Sequence, residues 1–256
     1  MTVKDIFDFI DHAAPFETQM DSDNSGFLIG SASQYVDSIL FALDVTPAVI
    51  DEAVSHGVQL IVTHHPLMFA PVRTLTDDTY EGRIIRRLIR EDISLIAAHT
   101  NLDQAPGGIN DTLAALCGLE NFSGEGFFRF GDLPEEMRAS DYAAVLSSVM
   151  GDTDRLMGPE DAVIRRVGLC SGGGSDEWHS AAENGCDAFV SGEIKHHLAL
   201  ALADRGIVAL ECGHYATEAP GIAALGNALQ SAFDTIKCKV RIFVSERKAY
   251  SFPRQP

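Results

Sequence analysis

The sequence has few features of secreted, disulfide-stabilised or membrane-spanning proteins. Its five cysteines stand singly, without a CxxC pair, and an odd, scattered set of this kind is typical of reduced thiols in a cytoplasmic protein. No run of 18 or more apolar residues occurs, so we expect no membrane span. The first residues include several acidic side chains and no long apolar core, so we also expect no signal peptide and a cytoplasmic location.

Basic residues are scarce as well. The chain has 19 Lys and Arg against 37 Asp and Glu, which gives a net charge of −18. Nucleic-acid-binding proteins usually present a basic face, so we do not expect a nucleic-acid partner. Arg83, Arg86, Arg87 and Arg90 share one helical face, a pattern that favours a solvated helix surface over a binding patch. The sequence also lacks the GxSxG motif of serine hydrolases.

Short apolar runs alternate with longer helical patterns. The predicted strands are Ser38–Leu43, Gln59–Val62, Ser94–Ala97, Arg165–Cys170, Ala188–Val190 and Ile207–Leu210. The predicted helices are Pro47–His56, Tyr80–Glu91, Ala139–Met150, Ser175–Asn184 and Lys195–Asp204. This alternation predicts an α/β fold with largely parallel strand pairing.

Two segments share one layout. "AVSHGVQLIVT" (Ala53–Thr63) and "AAENGCDAFVS" (Ala181–Ser191) each contain a helix end, a glycine, a short strand and a small hydroxyl residue. A strand precedes each segment, and a helix and another strand follow it. If this layout is a duplication, it predicts two similar α/β lobes facing one another. The stretch from Phe122 to Glu160 is richer in Gly, Pro and acidic residues, and it predicts two antiparallel strands and a helix with a lobe boundary near its start.

Histidines and carboxylates follow three of the predicted strands. "LIVTHHPLMF" places His64 and His65 after the second strand, where Pro66 interrupts the pairing ladder. Parallel α/β sheets carry functional groups at the carboxyl ends of their strands, so the pair could face one cavity. An incidental pair of loop histidines is the alternative.

Two further motifs, "AAHTNLDQAPGGIND" and "ECGHYATEAPG", also follow predicted strands. The first presents Asp103, which could instead be an ordinary turn residue. The second presents His214 and Glu218 four residues apart, on one face if the segment is helical. A plain helix start is the alternative for Glu218.

Together these motifs supply three imidazoles and two carboxylates, a set that suits Zn, Fe, Mn, Co or Ni. Five ligands exceed what one tetrahedral ion needs. Carboxylates can bridge two cations, whereas a neutral imidazole binds one. The residue types therefore predict a two-metal centre with Asp103 and Glu218 bridging and His64, His65 and His214 terminal.

Several other residues have more than one interpretation. His99 could orient a metal ligand, act as a general base or contact substrate. Glu193, at the end of a predicted strand, is a candidate general acid or base. The glycine-rich turn Cys170–Glu177 could cradle a phosphate, but a tight turn between strand and helix is favoured. The roles of His196 and His197 stay open.

Five motifs in this order resemble the Nif-three-like (YbgI-type) family of dinuclear metal-centre proteins, some of whose members carry the name GTP cyclohydrolase I type 2. They are "DSDNSGFLIG", "IVTHHPLMF", "AAHTNLDQAPGGIND", "VSGEIKHH" and "GHYATE", and they extend from about residue 21 to residue 222. The first motif departs from the family pattern because Ser22 replaces the usual aromatic residue. For Asp23 and Asn24 we expect a loop-capping role rather than a metal role.

The resemblance implies two interlinked α/β lobes with mostly parallel sheets, and a metal site in the cleft between them. It also implies a ring-shaped homo-hexamer, with metal ligands at His64, His65, Asp103, His214 and Glu218. We expect one lobe at 1–124, completed by 207–256 with the GHYATE motif, and a second at 125–206.

The resulting functional expectation is a metal-dependent hydrolase with two divalent transition-metal ions per chain. Its substrate would be GTP, another nucleotide or another phosphorylated small molecule. The alternative is a non-catalytic metal-binding ring that acts as a metal carrier or regulatory partner.

Overall fold

A computed structural model describes residues 1–151 and 155–249. Parts of two sequence-based predictions, the lobe ending at 256 and the mixed segment 122–160, lie outside the described residues. The chain forms two compact units. One comprises Met1–Ala105 together with the residues from Ile222 onward, and the other comprises Pro106–Gly221.

The chain begins in the first unit and then enters the second. The first part contains α1 (Val3–Ala13), β1 (Gly26–Ile29), β2 (Ser38–Ala42), α2 (Pro47–His56), β3 (Leu60–Thr63), α3 (Tyr80–Arg90), β4 (Ser94–Ala97) and α4 (Thr100–Gln104). The second unit contains α5 (Ile109–Leu116), β5 (Glu120–Ser123), β6 (Arg129–Arg138), α6 (Ala139–Met150), β7 (Arg155–Met157), β8 (Val163–Cys170), α7 (Trp178–Glu183), β9 (Ala188–Ser191), α8 (His196–Asp204) and β10 (Val208–Glu211). The chain continues through α9 (His214–Thr235) and β11 (Arg241–Val244).

Each unit is built on one sheet, which confirms the predicted α/β class. In the first unit the strand order is β1-β4-β3-β2-β11, with parallel pairing everywhere except between β1 and β4. In the second unit the order is β5-β6-β8-β9-β10-β7. Parallel pairing there is confined to β8, β9 and β10, because antiparallel partners lie on both sides of those strands.

Local sequence explains why α2 begins and ends where predicted. The hydroxyl of Thr46 accepts a hydrogen bond from the amide of Val49 and so caps the first turn. Pro47 occupies the first helical position, where its missing amide hydrogen costs nothing. Gly57 ends the helix with φ of 62°, a conformation that glycine adopts without strain.

The central strands β2, β3 and β4 are buried along their whole length. Their apolar side chains form a core with helices α2 and α3, in which Ile50, Ile61 and Leu88 are among the buried residues. The core of the second unit includes Tyr142, Ile164 and Val190. Buried parallel strands of this kind hold the loops at their carboxyl ends in fixed positions.

The division into units lies at different residues from the lobe boundaries predicted at 124 and 206. Strand β5 pairs with β6, and β10 pairs with β9 and β7, so both belong to the second sheet. The GHYATE motif therefore begins in the second unit, and the change of unit falls within α9.

Among the described residues, no helix is both long and apolar enough to cross a membrane.

Candidate metal centre

Three histidines meet at one edge of the first sheet. His64 and His65 directly follow β3, and His99 comes two residues after β4. Strands β3 and β4 are parallel neighbours, so their carboxyl ends lie together. The ring centroids are 5.0 Å apart for His64 and His65, 5.0 Å for His64 and His99, and 5.6 Å for His65 and His99. One nitrogen from each ring lies within 4.8 Å of the others, close enough to hold a metal ion.

In each of these rings, the Nδ1 atom lies within hydrogen-bonding distance of an oxygen that accepts a hydrogen bond. His64 Nδ1 is 2.9 Å from the carbonyl oxygen of Ala98. His65 Nδ1 is 2.8 Å from Asp44 Oδ1, and His99 Nδ1 is 3.0 Å from Asp23 Oδ1. A carbonyl or carboxylate oxygen only accepts, so Nδ1 carries the hydrogen in all three rings. In a neutral ring Nε2 is then the atom with the lone pair that binds a metal.

Asp103 adds a carboxylate to this cluster. It lies in the short helix α4, and its Oδ1 atom is 3.4 Å from Nε2 of His64. Both residues are buried. A bound cation is one of the groups that can stabilise a buried carboxylate.

A second pair of candidate ligands lies in the second unit, in the first turn of α9. His214 Nε2 is 3.0 Å from Glu218 Oε2, one helical turn further on, and Glu218 is buried. His214 Nδ1 is 2.9 Å from Glu193 Oε1. The arrangement repeats the pattern of the first cluster, with Nδ1 held by an acceptor and Nε2 beside a carboxylate.

The separations within these two pairs fit the coordination of a transition metal. Two ligand atoms that each lie about 2.1 Å from one ion are about 3.0–3.4 Å apart when they subtend roughly 90–110° at it. The His64–Asp103 and His214–Glu218 separations of 3.4 and 3.0 Å lie within that range. The donor atoms are imidazole nitrogens and carboxylate oxygens, so the residues suit a divalent transition-metal ion.

Asp23 is a buried carboxylate that anchors the first cluster from behind. Its side chain is 2% exposed. Burial alone would raise the pKa of Asp23, but hydrogen bonds from His99, Thr100 and Ser25 outweigh burial and lower this pKa well below its usual value. The carboxylate is therefore ionised whenever the protein is folded near neutral pH. It caps its own loop, as expected, and it also orients His99.

The remaining sequence candidates are His196, His197 and the glycine-rich turn Cys170–Glu177. His196 and His197 are exposed at the start of α8. In the glycine-rich turn Cys170–Glu177, the amide of Ser171 donates to Asn110 and that of Gly172 to Thr217. These amides are already used within the protein, which agrees with a tight turn rather than a phosphate cradle.

Sequence reasoning missed the three acceptors Asp23, Asp44 and Glu193 as partners of the histidines. Asp44 offered a signal, because it follows β2, the strand next to β3, at the same sheet edge. Glu193 was noticed, but as an acid or base rather than as the partner of His214.

The profile of the family Duf34/NIF3 (NGG1p interacting factor 3) matches residues 1–250. The chain belongs to this family. Two DUF34/NIF3 relatives bear the name GTP cyclohydrolase 1 type 2 homolog. The protein from Clostridium perfringens is 33% identical over 245 residues, which cover 92% of this chain and 94% of the relative. The protein from Clostridium acetobutylicum is 30% identical over 257 residues, covering 96% of both chains.

Solved structures share the DUF34/NIF3 fold over nearly the whole chain. Staphylococcus aureus protein SA1388 has a TM-score of 0.94 and 29% identity, with coverage of 100% of this chain and 99% of that chain. The protein ybgI has a TM-score of 0.85 and 26% identity, with coverage of 96% and 98%. The resemblance deduced from the sequence motifs is thus confirmed at the level of family and fold.

Proposed function

We propose that this chain is a metal-dependent hydrolase with two divalent transition-metal ions, held by His64, His65, Asp103, His214 and Glu218. The observation that carries the proposal is the shared orientation of the imidazoles, which presents Nε2 as the ligand atom. Asp103 and Glu218 would supply the carboxylate ligands. When bound, the ions would lower the pKa of water and polarise the bond under attack.

In this proposal, His99 and Glu193 have different roles. His99 is held at Nδ1 by Asp23, so Nε2 is the atom that exchanges protons with water or substrate. Glu193 holds Nδ1 of His214, so its role in the proposal is to position that ring rather than to transfer protons.

The substrate in this proposal is a purine nucleotide such as GTP, or another phosphorylated small molecule. The names of the relatives, GTP cyclohydrolase 1 type 2 homolog, support it. In a GTP cyclohydrolase reaction, water attacks the imidazole ring of guanine, and a carbon–nitrogen bond of that ring is hydrolysed.

Metal analysis tests the ligand set first. Protein purified without chelator or nickel affinity should contain about two transition-metal ions per chain by elemental analysis. His64→Ala, Glu218→Ala and Asp103→Ala should each lose metal, whereas His12→Ala, which changes an exposed histidine of α1, should keep it. If the ligands act as one centre, the His64→Ala/Glu218→Ala double variant should lose little more metal than either single variant. Full metal content in Asp103→Ala would remove Asp103 from the site.

Turnover separates the enzyme from a metal carrier or regulatory protein. The metal-loaded protein should hydrolyse at least one member of a nucleotide panel, with a rate that follows added metal. His99→Ala should retain its ions and lose about 10²-fold or more in rate. A fully loaded protein that turns over no member of the panel would favour the non-catalytic alternative.

A further inference from the structure

A long loop beside the three histidines has an unusual composition for an exposed segment. It runs for 16 residues, from 64 to 79, between β3 and α3 without a helix or strand. Loops of this length inside compact units usually have a function. It begins with His64 and His65, and its middle part contains Phe69, Pro71 and Val72.

The loop is held in place rather than loosely attached. The side-chain amide of Asn24 donates a 2.7 Å hydrogen bond to the carbonyl of Met68. At its far end, Arg83 donates to the carbonyl of Asp77, and Thr79 caps α3. The apolar middle part is therefore presented in a defined position, as a binding surface requires.

Phe69 is a large apolar side chain that contacts His99 and remains open to solvent. It is 60% exposed, and its ring meets that of His99 edge to face, with centroids 5.5 Å apart and planes at 77°. Leaving a phenylalanine uncovered gives up much of the hydrophobic stabilisation available from burying it. A ligand that covered Phe69 would recover this free energy directly beside the candidate metal ligands.

A pocket of about 320 Å³ adjoins Phe69, lined by Asp23, Asn24 and residues 68–72. This volume is at the small end for ligand sites, so it accommodates a ring system rather than a whole nucleotide. Of the residues in the described part of the chain, no basic side chain lines the pocket. The oxygens of Asp23 are already occupied by donors from Ser25, His99 and Thr100. Among the described residues none donates to Oδ1 of Asn24, which can accept from an N–H group.

From these contacts we infer that the pocket binds a planar, uncharged heteroaromatic ring, stacked on Phe69 with an N–H edge toward Asn24. Two lining residues, Asp23 and Phe69, contact His99, so a ring bound there lies next to the histidine cluster. The inference rests on the proposed function, because it identifies which part of the substrate is brought to that cluster. Phosphate groups, which need basic partners, would lie outside this pocket.

Ligand binding to metal-loaded protein tests this inference. Guanosine, adenosine, uridine and ribose 5-phosphate are titrated by calorimetry into the wild type, Phe69→Ala, Phe69→Tyr and Leu75→Ala. Leu75 is the matched control, since it is 52% exposed on the same loop and does not line the pocket. We expect at least one nucleoside to bind and ribose 5-phosphate to bind far more weakly. Phe69→Ala should weaken nucleoside binding about tenfold or more, while Phe69→Tyr and Leu75→Ala should stay within about twofold of wild type.

Metal content and the mass of the native oligomer are measured on the same samples, so that two kinds of failure can be distinguished. Unchanged nucleoside affinity in Phe69→Ala, or no nucleoside binding to fully loaded protein, would overturn the inference and leave the metal centre intact. A change in the mass of the native oligomer without a change in nucleoside affinity would assign Phe69 to a subunit interface instead. Absence of metal from the wild type would overturn the proposed function itself.

Discussion

At the scale of single residues, the side chain of Glu218 occupies the space that a side chain at position 172 would need. A Cβ atom at position 172 would lie 1.9 Å from Oε1 of Glu218 and 3.2 Å from Nε2 of His214. The residue also has φ of 54°, which side chains other than glycine adopt only at a cost. The neighbouring Gly173 has open space around its Cβ position and an ordinary φ of −82°.

These two glycines form a matched pair of variants. Gly172→Ala should displace the carboxylate of Glu218 and weaken metal binding about tenfold or more, as loss of ligand support does in other metal sites. Gly173→Ala should bind metal like the wild type. The measurement is a competition titration of zinc against a chromophoric chelator. Equal affinities in the two variants would show that Glu218 can move without affecting the metal.

At the residue scale, the metal ligands named from the sequence stay predictions, and their hydrogen-bond partners were not foreseen. His64, His65 and His214 were singled out because each follows a predicted strand. The acceptors of the histidines were not recognised as such, since Asp23 is 76 residues from His99 and Glu193 is 21 from His214 along the chain. Contacts over such separations depend on the fold, and local patterns do not contain them.

At the scale of elements, Asp23 fastens a loop to the start of α4. Its Oδ2 atom accepts hydrogen bonds from the amide and the hydroxyl of Thr100, at 3.1 and 2.5 Å. A negative charge at a helix N-terminus is favourable, and here it is also shielded from solvent. The lowered pKa of Asp23 makes this contribution depend on pH.

The direction of the pH effect follows from linkage. A carboxyl group with a folded-state pKa below its unfolded-state value stabilises the protein above the unfolded pKa of about 3.9 and loses that contribution as the pH falls toward the folded-state pKa. Asp23→Asn should therefore lower the free energy of unfolding at pH 7 by roughly 2 kcal/mol and should flatten the loss of stability below about pH 4. Urea unfolding at several pH values measures both effects. Asp21→Asn, at an exposed neighbouring position, serves as the control. If the free energy of unfolding of Asp23→Asn fell as steeply at acid pH as that of the wild type, the prediction would be contradicted.

Elements with strong local signals were predicted well, and elements fixed by distant contacts were not. The bounds of α2 and α6 match the prediction. Pro47 marks the start of α2, and Gly57 and Gly151 mark the ends of the two helices. Helix α4 was not among the predicted helices. Its sequence is rich in turn-forming residues, but Asn101 donates to the carbonyl of Ala14 and holds the segment in place. Helix α9 contains Pro220, a residue that usually ends helices, yet it continues to Thr235.

At the scale of the whole molecule, the cysteines have the distribution expected of reduced, packed thiols. Cys117, Cys170, Cys186 and Cys212 are buried, and Cys238 is partly exposed. Burial raises the pKa of Cys186 to about 12, which disfavours its reactive thiolate.

Thiol titration should therefore distinguish Cys238 from the other four. Native protein should react with about one equivalent of Ellman's reagent, and in denatured protein all five cysteines should react. Cys238→Ser should abolish the native reaction. Rapid reaction of several thiols in the native state would mean that the cores open readily.

The α/β class and the family were predictable for the whole chain, because they depend on strand–helix alternation and on motifs in a fixed order. Boundaries between units were less predictable, since pairing of β5 and β10 with the second sheet depends on long-range hydrogen bonds. The ring-shaped hexamer stays a prediction, as does the number of ions in the centre.

Acceptors rather than ligands fix the orientation of the candidate imidazoles, and this has an evolutionary consequence. Asp44 and Glu193 can be replaced while His65 and His214 remain, and each replacement would alter the basicity of a candidate ligand without removing it. A lineage could therefore shift its preference among iron, zinc and manganese as their supply changed, while its ligand motifs remained the same.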